Sequence, residues 1–249
     1  MGQKINPTSY RIGINEPWRS RWYFAANAVK QFKSGNKSSR TVYAKLLEED
    51  EAIRKIVRAK LVLAGLASIE IERTAGSLRV YIKAAKPGII IGRGGKGVEE
   101  LNKAIEKAIQ KVRADKGPVK MSINIEELKR SEISSTYVAQ QIAWDLERRM
   151  PFRRTIKKHL DLVMQNKEVK GAKILASGRL DGNEISRRES LKSGALPLQT
   201  LRAKIDYGRG TAFCSYGTIG LKVWIYKGQV FSRRAIHPTD AKRPPANSK

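Results

Sequence analysis

Pro87-Gly88-Ile89-Ile90-Ile91-Gly92-Arg93-Gly94-Gly95-Lys96-Gly97 decides the fold, because a short apolar run meets a basic, glycine-rich turn there. Glycines let a chain adopt positive φ and remove the β-carbons that would keep a phosphate or sugar at a distance. A periodic helix predicted from about Val98 points its free N–H groups and the positive end of its dipole at the same turn. The sequence therefore predicts an anion-binding loop that uses Gly92, Arg93, Gly94, Gly95 and Lys96.

Three kinds of anion-binding loop have glycines at similar spacing. Gly92 to Gly97 matches the G-x-G-x-x-G pattern of dinucleotide-binding folds, but the preceding elements look like an antiparallel hairpin, and no acidic residue ends a following strand about 20 residues on. A Walker A loop needs Ser or Thr where Gly97 stands. A K-homology (KH) loop, Gly-x-x-Gly, clamps the backbone of about four single-stranded nucleotides. We favour the KH loop and keep the dinucleotide site as an alternative.

The charge of the chain points to a polyanionic partner. Its 249 residues include 50 Lys or Arg against 23 Asp or Glu, which gives a net charge of +27 and an isoelectric point near 10.4. Nucleic acid is favoured over a membrane surface, because no apolar run approaches 18 residues. The single cysteine, Cys214, excludes a disulfide framework or a multi-cysteine zinc site. We predict no cofactor, no metal and a reducing setting, in the cytoplasm or an organelle.

Residues 1–43 are a basic segment with eight Lys or Arg and one acidic residue, Glu16. Its tryptophans, Trp18 and Trp22, are interleaved with arginines. This mixture suits stacking on bases and neutralising phosphates, although the same rings could pack an irregular arm onto the next domain. We predict an RNA-binding N-terminal arm whose contacts come from Lys4, Arg11, Trp18, Arg19, Arg21 and Trp22.

The periodicity of the remaining chain predicts two α+β domains and a disordered tail. Residues 44–127 read as a small domain in the order helix, two strands, short apolar turn, glycine loop, helix and strand. Residues 128–236 read as two helices packed on a mostly antiparallel sheet. We predict that Arg187-Arg188 and Gly208-Arg209-Gly210 lie in loops of this second domain. The proline-rich residues 237–249 are predicted to be disordered.

The second helix of the 128–236 domain carries a run of positive charge. At about 100° per residue, its basic side chains occupy an arc of about 140°, apart from the apolar stripe. A solvated helix face is the ordinary interpretation of such a run, but these like charges repel one another and Asp161 is the only acid nearby on that arc. We predict a phosphate-contacting surface made of Arg148, Arg149, Arg153, Arg154, Lys157 and Lys158.

Several long motifs in the right order resemble the bacterial-type S-three family of small-subunit ribosomal proteins. They are Met1 to Pro7, Pro87 to Gly92, Leu146 to Arg154, Ser177 to Leu180, Pro197 to Ala203, Ile205 to Tyr207 and Tyr216 to Gly228. The resemblance implies a type II KH domain (αββααβ, a three-stranded sheet with helices on one face) followed by a second α/β domain. Two departures are Asn6, where the family usually has His, and Gly94, where the loop usually has a second basic residue.

The same resemblance implies a function and its partners. Members bind small-subunit ribosomal RNA in the head of the subunit, beside the ribosomal proteins S-ten and S-fourteen. They line the channel through which messenger RNA enters, where Arg153, Arg154 and Lys157 match the positions that help open its secondary structure. The expected chain is a structural RNA-binding protein and not an enzyme. Two rivals are an enzyme that uses Gly92 to Gly97 as a cofactor loop and a free-standing KH regulator of messenger RNA.

Overall fold

The computed structural model describes residues 3–23, 37–74, 77–112, 120–128 and 133–231, with only the backbone for 37–42. Within these ranges the helices are α1 (Pro7–Arg11), α2 (Lys37–Lys60), α3 (Pro87–Ile91), α4 (Lys96–Val112), α5 (Ser135–Glu147) and α6 (Phe152–Met164). The strands are β1 (Ser20–Trp22), β2 (Leu66–Arg73), β3 (Ser77–Ala84), β4 (Lys120–Glu127), β5 (Gly171–Gly178), β6 (Arg187–Gly194), β7 (Ala203–Cys214) and β8 (Gly217–Gln229). The predicted tail, 237–249, lies outside the described residues.

The chain divides into two compact units, Arg19–Lys129 and a second unit that joins Met1–Trp18 to Arg130–Lys249. We call them the first and second units. The residues of the predicted arm are therefore shared between the two units. The predicted boundaries at 43, 127 and 236 stay predictions.

The first unit has the predicted order αββααβ, in α2, β2, β3, α3, α4 and β4. Apolar side chains of β2 and β3, such as Ile71 and Val80, are fully buried against Ile53 of α2 and Ile105 of α4. The sheet has the order β1-β2-β3-β4 and not three strands, because β1 adds parallel to β2 with Ser20 opposite Ile71. The three-stranded prediction was incomplete, since a three-residue strand gives almost no periodic signal.

A buried ionic network fastens β1 and β2 to α2. Arg73 contacts Glu49 at 2.7 Å and Asp50 at 2.6 Å, and the two carboxylates are almost fully buried. The other oxygen of Asp50 accepts hydrogen bonds from the Ser20 hydroxyl and the Trp22 indole N–H, both at 2.9 Å. The network satisfies these buried charges and explains why the short strand β1 holds its place.

The second unit is a four-stranded antiparallel sheet of order β6-β5-β8-β7, with α5 and α6 on one face, as predicted. The loop predictions for Arg187-Arg188 and Gly208-Arg209-Gly210 were wrong, because both segments are strand. Gly208 and Gly210 lie beneath α5, where a β-carbon on Gly208 would stand 2.4 Å from the carbonyl carbon of Ser135. These glycines permit close packing of the helix and do not mark a turn.

The N-terminal helix α1 is anchored to the second unit through Arg11. Its fully buried guanidinium donates to the carbonyl oxygens of Ala203 at 2.7 Å, Leu198 at 2.7 Å, Thr200 at 3.0 Å and Pro7 at 2.9 Å. Burial lowers the pKa of this guanidinium from its ordinary value. The prediction that Arg11 contacts RNA is corrected: with the side chain enclosed by carbonyl groups, no surface of it remains for a phosphate.

Candidate nucleic-acid interface

The glycine loop presents its backbone to solvent. Gly92 ends α3 with φ +69° and ψ −178°, and its N–H donates to the Gly88 carbonyl at 3.0 Å. Gly94 and Gly95 follow with φ +62° and +81°, and a β-carbon on either one would meet no atom within 4 Å. The side chains of Arg93 and Lys96 are exposed. Backbone and two cations are therefore open to an incoming anion.

Gly97 allows two helices to meet beside this loop. A β-carbon there would lie 2.4 Å from the Ile90 carbonyl oxygen of α3, so only glycine permits the contact between α3 and α4. The loop thus follows a short helix, whereas the dinucleotide fingerprint directly follows a strand. The third glycine of the G-x-G-x-x-G match is explained by helix packing, and a loop between two helices is the arrangement of the KH type.

A second basic surface lies where α5 turns into α6, and we call it the basic corner. All six predicted cations are exposed there. Five of them form no ion pair with a carboxylate of the described residues, namely Arg148, Arg149, Arg154, Lys157 and Lys158. The opposite side of α6 is buried through Phe152, Ile156 and Leu160, so the helix holds these charges on a rigid support.

Arg149 occupies a backbone position that favours glycine. Its φ is +61°, and it follows the C-terminal residue Arg148 of α5, where Arg149 N–H donates to Leu146 and Met150 N–H donates to Asp145, at 2.9 and 3.1 Å. These two bonds form a Schellman motif, which usually has glycine at the left-handed position. An arginine there adds charge to the corner at a conformational cost of about 1 kcal/mol.

Arg153 differs from the other corner cations because it is paired. Its Nε and Nη2 donate to the two Glu189 oxygens at 3.2 Å, and Arg187 contacts the same carboxylate at 3.4 Å. These hydrogen bonds lower the pKa of Glu189 and raise that of Arg153. Arg187 therefore belongs to the corner, and its guanidinium lies 5.4 Å from the Phe152 ring. Sequence reasoning missed it because only strand pairing brings residue 187 near residue 153.

Buried polar contacts fix the two corner helices. His159 Nε2 lies 2.8 Å from Asp145 Oδ2, which joins α6 to α5, and the N–H of Phe152 donates to Asp181 at 3.3 Å. His159 is almost fully buried. One of the two histidines thus has a structural role, and the other, His237, lies outside the described residues.

The predicted arm residues do not form one surface. Arg21 pairs with Glu70 and Glu72, and Trp22 packs against Tyr43 with ring centroids 5.1 Å apart. The remaining three arm residues besides Arg11 are exposed, namely Lys4, Trp18 and Arg19. Packing onto the fold therefore accounts for Arg21 and Trp22, and the exposed three stay candidates for RNA contact.

Metal and membrane chemistry have no visible basis in the described residues. No group of three His, Cys, Asp or Glu side chains in those ranges could hold a metal ion. Among the same residues no helix has the length and apolar character to span a membrane.

Comparisons with known proteins support both units. A family model described as "KH domain" matches residues 52–133, and one described as "Ribosomal protein S3, C-terminal domain" matches residues 142–225. The chain is 44% identical over 244 residues to a small ribosomal subunit protein uS3 of Nitratiruptor sp., covering 98% of this chain and 96% of the relative. The uS3 proteins of Wolinella succinogenes and Sulfurimonas denitrificans are 42% and 45% identical, covering 100% and 94% of this chain and 95% and 87% of those relatives.

These matches cover the chain almost from end to end and confirm the resemblance inferred from the motifs. They also agree with the KH order of the first unit and the two-helix sheet of the second. Relatives of this kind carry the names of ribosomal proteins and not of enzymes. The chain belongs to the uS3 family of small ribosomal subunit proteins.

Proposed function

We propose that this chain is a structural constituent of the small ribosomal subunit, that it binds small-subunit ribosomal RNA in the head, and that its basic corner guides messenger RNA. The names of its relatives support the first part. In this proposal the corner lines the channel through which messenger RNA enters and helps to open its secondary structure. The resemblance to the family supports neighbours of the S-ten and S-fourteen type and a place in cytoplasmic ribosomes.

The observation that carries the messenger RNA proposal is the group of exposed cations on the basic corner. Five lack an ion-pair partner among the described residues, so their charge is available to phosphates. They stand on packed helices, which lowers the entropy cost of binding. Cations fixed in this way stabilise separated strands through their phosphates, and so lower the free energy needed to open a messenger hairpin.

Replacing Arg153, Arg154 and Lys157 with Ala is expected to slow translation through a stable messenger hairpin by about two- to tenfold. An exposed ion pair changes an equilibrium by at most about fivefold, and three contacts are lost. Ribosomes carrying the variant would be compared on one coding sequence with and without the hairpin. Speed on the unstructured messenger, and incorporation into subunits, should stay at the wild-type level because the three side chains are exposed.

The matched control removes three exposed lysines of α4, Lys103, Lys107 and Lys111, which are spaced four residues apart. It has the same loss of charge and should pass the hairpin at normal speed. Equal slowing by both variants, or none by the corner variant, would contradict a specific role for the corner.

We also propose that the glycine loop binds RNA, and Gly94 gives the sharpest test. Its φ of +62° and ψ of +26° lie in the left-handed region that Asp and Asn tolerate, and no atom lies within 4 Å of an added β-carbon. Gly94→Asp should weaken RNA binding about threefold relative to Gly94→Asn, the factor for like unit charges about 6 Å apart in water. Equal affinities at low salt would show that no phosphate approaches the loop.

Gly92 is a poorer choice for this test. Its combination of φ +69° and ψ −178° is open almost only to glycine. A Gly92→Asp change would alter the backbone together with the charge, so a loss of binding there would not identify its cause.

A further inference from the structure

The sheet of the second unit has a face that α5 and α6 leave uncovered, and we call it the outer face. Strand register places its side chains in three rows of four, each running from β6 through β5 and β8 to β7. The rows are Lys192, Lys173, Trp224 and Tyr207; Ser190, Leu175, Lys222 and Arg209; and Arg188, Ser177, Gly220 and Thr211. From ordinary strand spacings this grid measures about 14 Å in each direction.

The outer face is strongly and uniformly positive. Five of its twelve residues are Lys or Arg and none is Asp or Glu: Lys173, Arg188, Lys192, Arg209 and Lys222. Lys173 stands directly opposite Lys192, and Lys222 directly opposite Arg209. Like charges in directly opposed positions destabilise a sheet, and all five lie within about two Debye lengths of one another.

Nothing in the described part of the chain neutralises these five charges. None of them forms an ion pair with a carboxylate there. The uncovered face of the first unit's sheet is different, because it alternates cations with three carboxylates and forms ion pairs such as Lys83–Glu126 at 3.3 Å and Arg21–Glu72 at 3.3 Å. Two sheets with the same layer architecture thus differ in charge, and only the second lacks internal compensation.

Two aromatic residues organise the cations at one side of the grid. The rings of Tyr207 and Trp224 lie 5.3 Å apart, with Lys173 Nζ 5.8 Å from the Trp224 ring. Arg209 Nε donates to the Tyr207 hydroxyl at 2.8 Å. Beyond these rings, Leu196 and Leu198 pack on the sheet and close that end of the face. The charged rows therefore remain as the open part of the surface.

The charge of the outer face calls for a polyanion, and the chain does not supply one. Residues 232–249 carry five Lys or Arg and one Asp, so they are positive like the face itself. Between an acidic protein and RNA, we favour RNA because cations beside aromatic rings suit phosphates and bases together. We propose that the outer face is a docking surface for the phosphate backbone of ribosomal RNA, distinct in its residues from the basic corner and the glycine loop. This rests on the proposed function.

The test is the salt dependence of binding to transcribed small-subunit ribosomal RNA, measured with the full chain. Changing the two opposed pairs to Gln (Lys173→Gln, Lys192→Gln, Arg209→Gln, Lys222→Gln) removes four cations. At about 0.7 per phosphate contact, the slope of log K against log salt should become less steep by about 3. The melting temperature should stay equal or rise, because the change removes repulsion between neighbouring strands.

Two further variants make the result specific. A control that changes Lys55, Lys103, Lys107 and Lys111 to Gln has the same loss of charge on α2 and α4 and should change the slope by less than 1 unit. A charge-preserving variant (Lys173→Arg, Lys192→Arg, Arg209→Lys, Lys222→Arg) should keep the wild-type slope.

An unchanged slope in the four-Gln variant would overturn the proposal and leave an acidic protein as the occupant of the face. A slope that is lost together with a lower melting temperature would overturn it too, by giving the cations a folding role. Both outcomes differ from failure of the proposed function, in which the wild-type chain itself would show no salt-dependent binding to this RNA.

Discussion

Replacing Arg73 with Met is expected to lower the free energy of unfolding of the first unit by about 3–5 kcal/mol, because it strands two buried carboxylates. Glu49 is 2% exposed and Asp50 is fully buried, and Arg73 is the cation that contacts both, at 2.7 and 2.6 Å. Met fills a similar volume, so the loss comes from uncompensated charge and not from a cavity.

Native-state hydrogen exchange is the measurement of choice, since it reports the two units separately. Amides of β2 and β3 in the Arg73→Met variant should lose protection, as should those of β1, because Ser20 and Trp22 both donate to Asp50. The matched control is Arg21→Met on the neighbouring strand, whose ion pairs are partly exposed and contribute less than about 1 kcal/mol. Equal protection in the two variants would show that the buried network contributes little.

Replacing Arg11 with Lys is expected to destabilise the contact of α1 with β7 by about 2–4 kcal/mol, although the charge is kept. The guanidinium donates to four carbonyl oxygens in separate directions, at 2.7 to 3.0 Å. A single ammonium on a shorter chain cannot reach all of them, and carbonyl groups that stay buried without a donor each cost about 1–3 kcal/mol.

This substitution separates a structural role from an RNA-binding role. If Arg11 acted through its charge, Lys would preserve both folding and affinity for RNA. Our account predicts loss of exchange protection in α1 and in residues 198–203, with Lys4→Met as a control that leaves protection unchanged because Lys4 is exposed. Wild-type protection in the Arg11→Lys variant would contradict the anchoring role.

Local patterns predicted the helices and strands well, because period and turn chemistry are properties of neighbouring residues. The order αββααβ, the two-helix sheet and the exposed arc on α6 were all accessible in this way. The family itself was accessible from motif order and is confirmed by the relatives.

Long-range pairing decided what the sequence could not predict. Strand β1 exists because Asp50 and β2 bind it, and the burial of Arg11 depends on carbonyl groups about 190 residues later. The segment Gly208-Arg209-Gly210 has the composition of a turn, yet its glycines are required by α5. The pairing of Arg153 with Glu189, and the charged grid of the outer face, arise from strand register, which no local signal contains.

Site-specific crosslinking from the basic corner tests the central claim most directly. Arg154 is exposed on α6 and unpaired among the described residues, so a photoreactive amino acid can replace it without disturbing the core. Small subunits carrying this chain, programmed with labelled messenger RNA and irradiated, should give a crosslink to the messenger, whereas the same probe at Lys107 of α4 should give none. Crosslinks from position 154 to ribosomal RNA or protein alone would contradict a role of the corner in guiding messenger RNA.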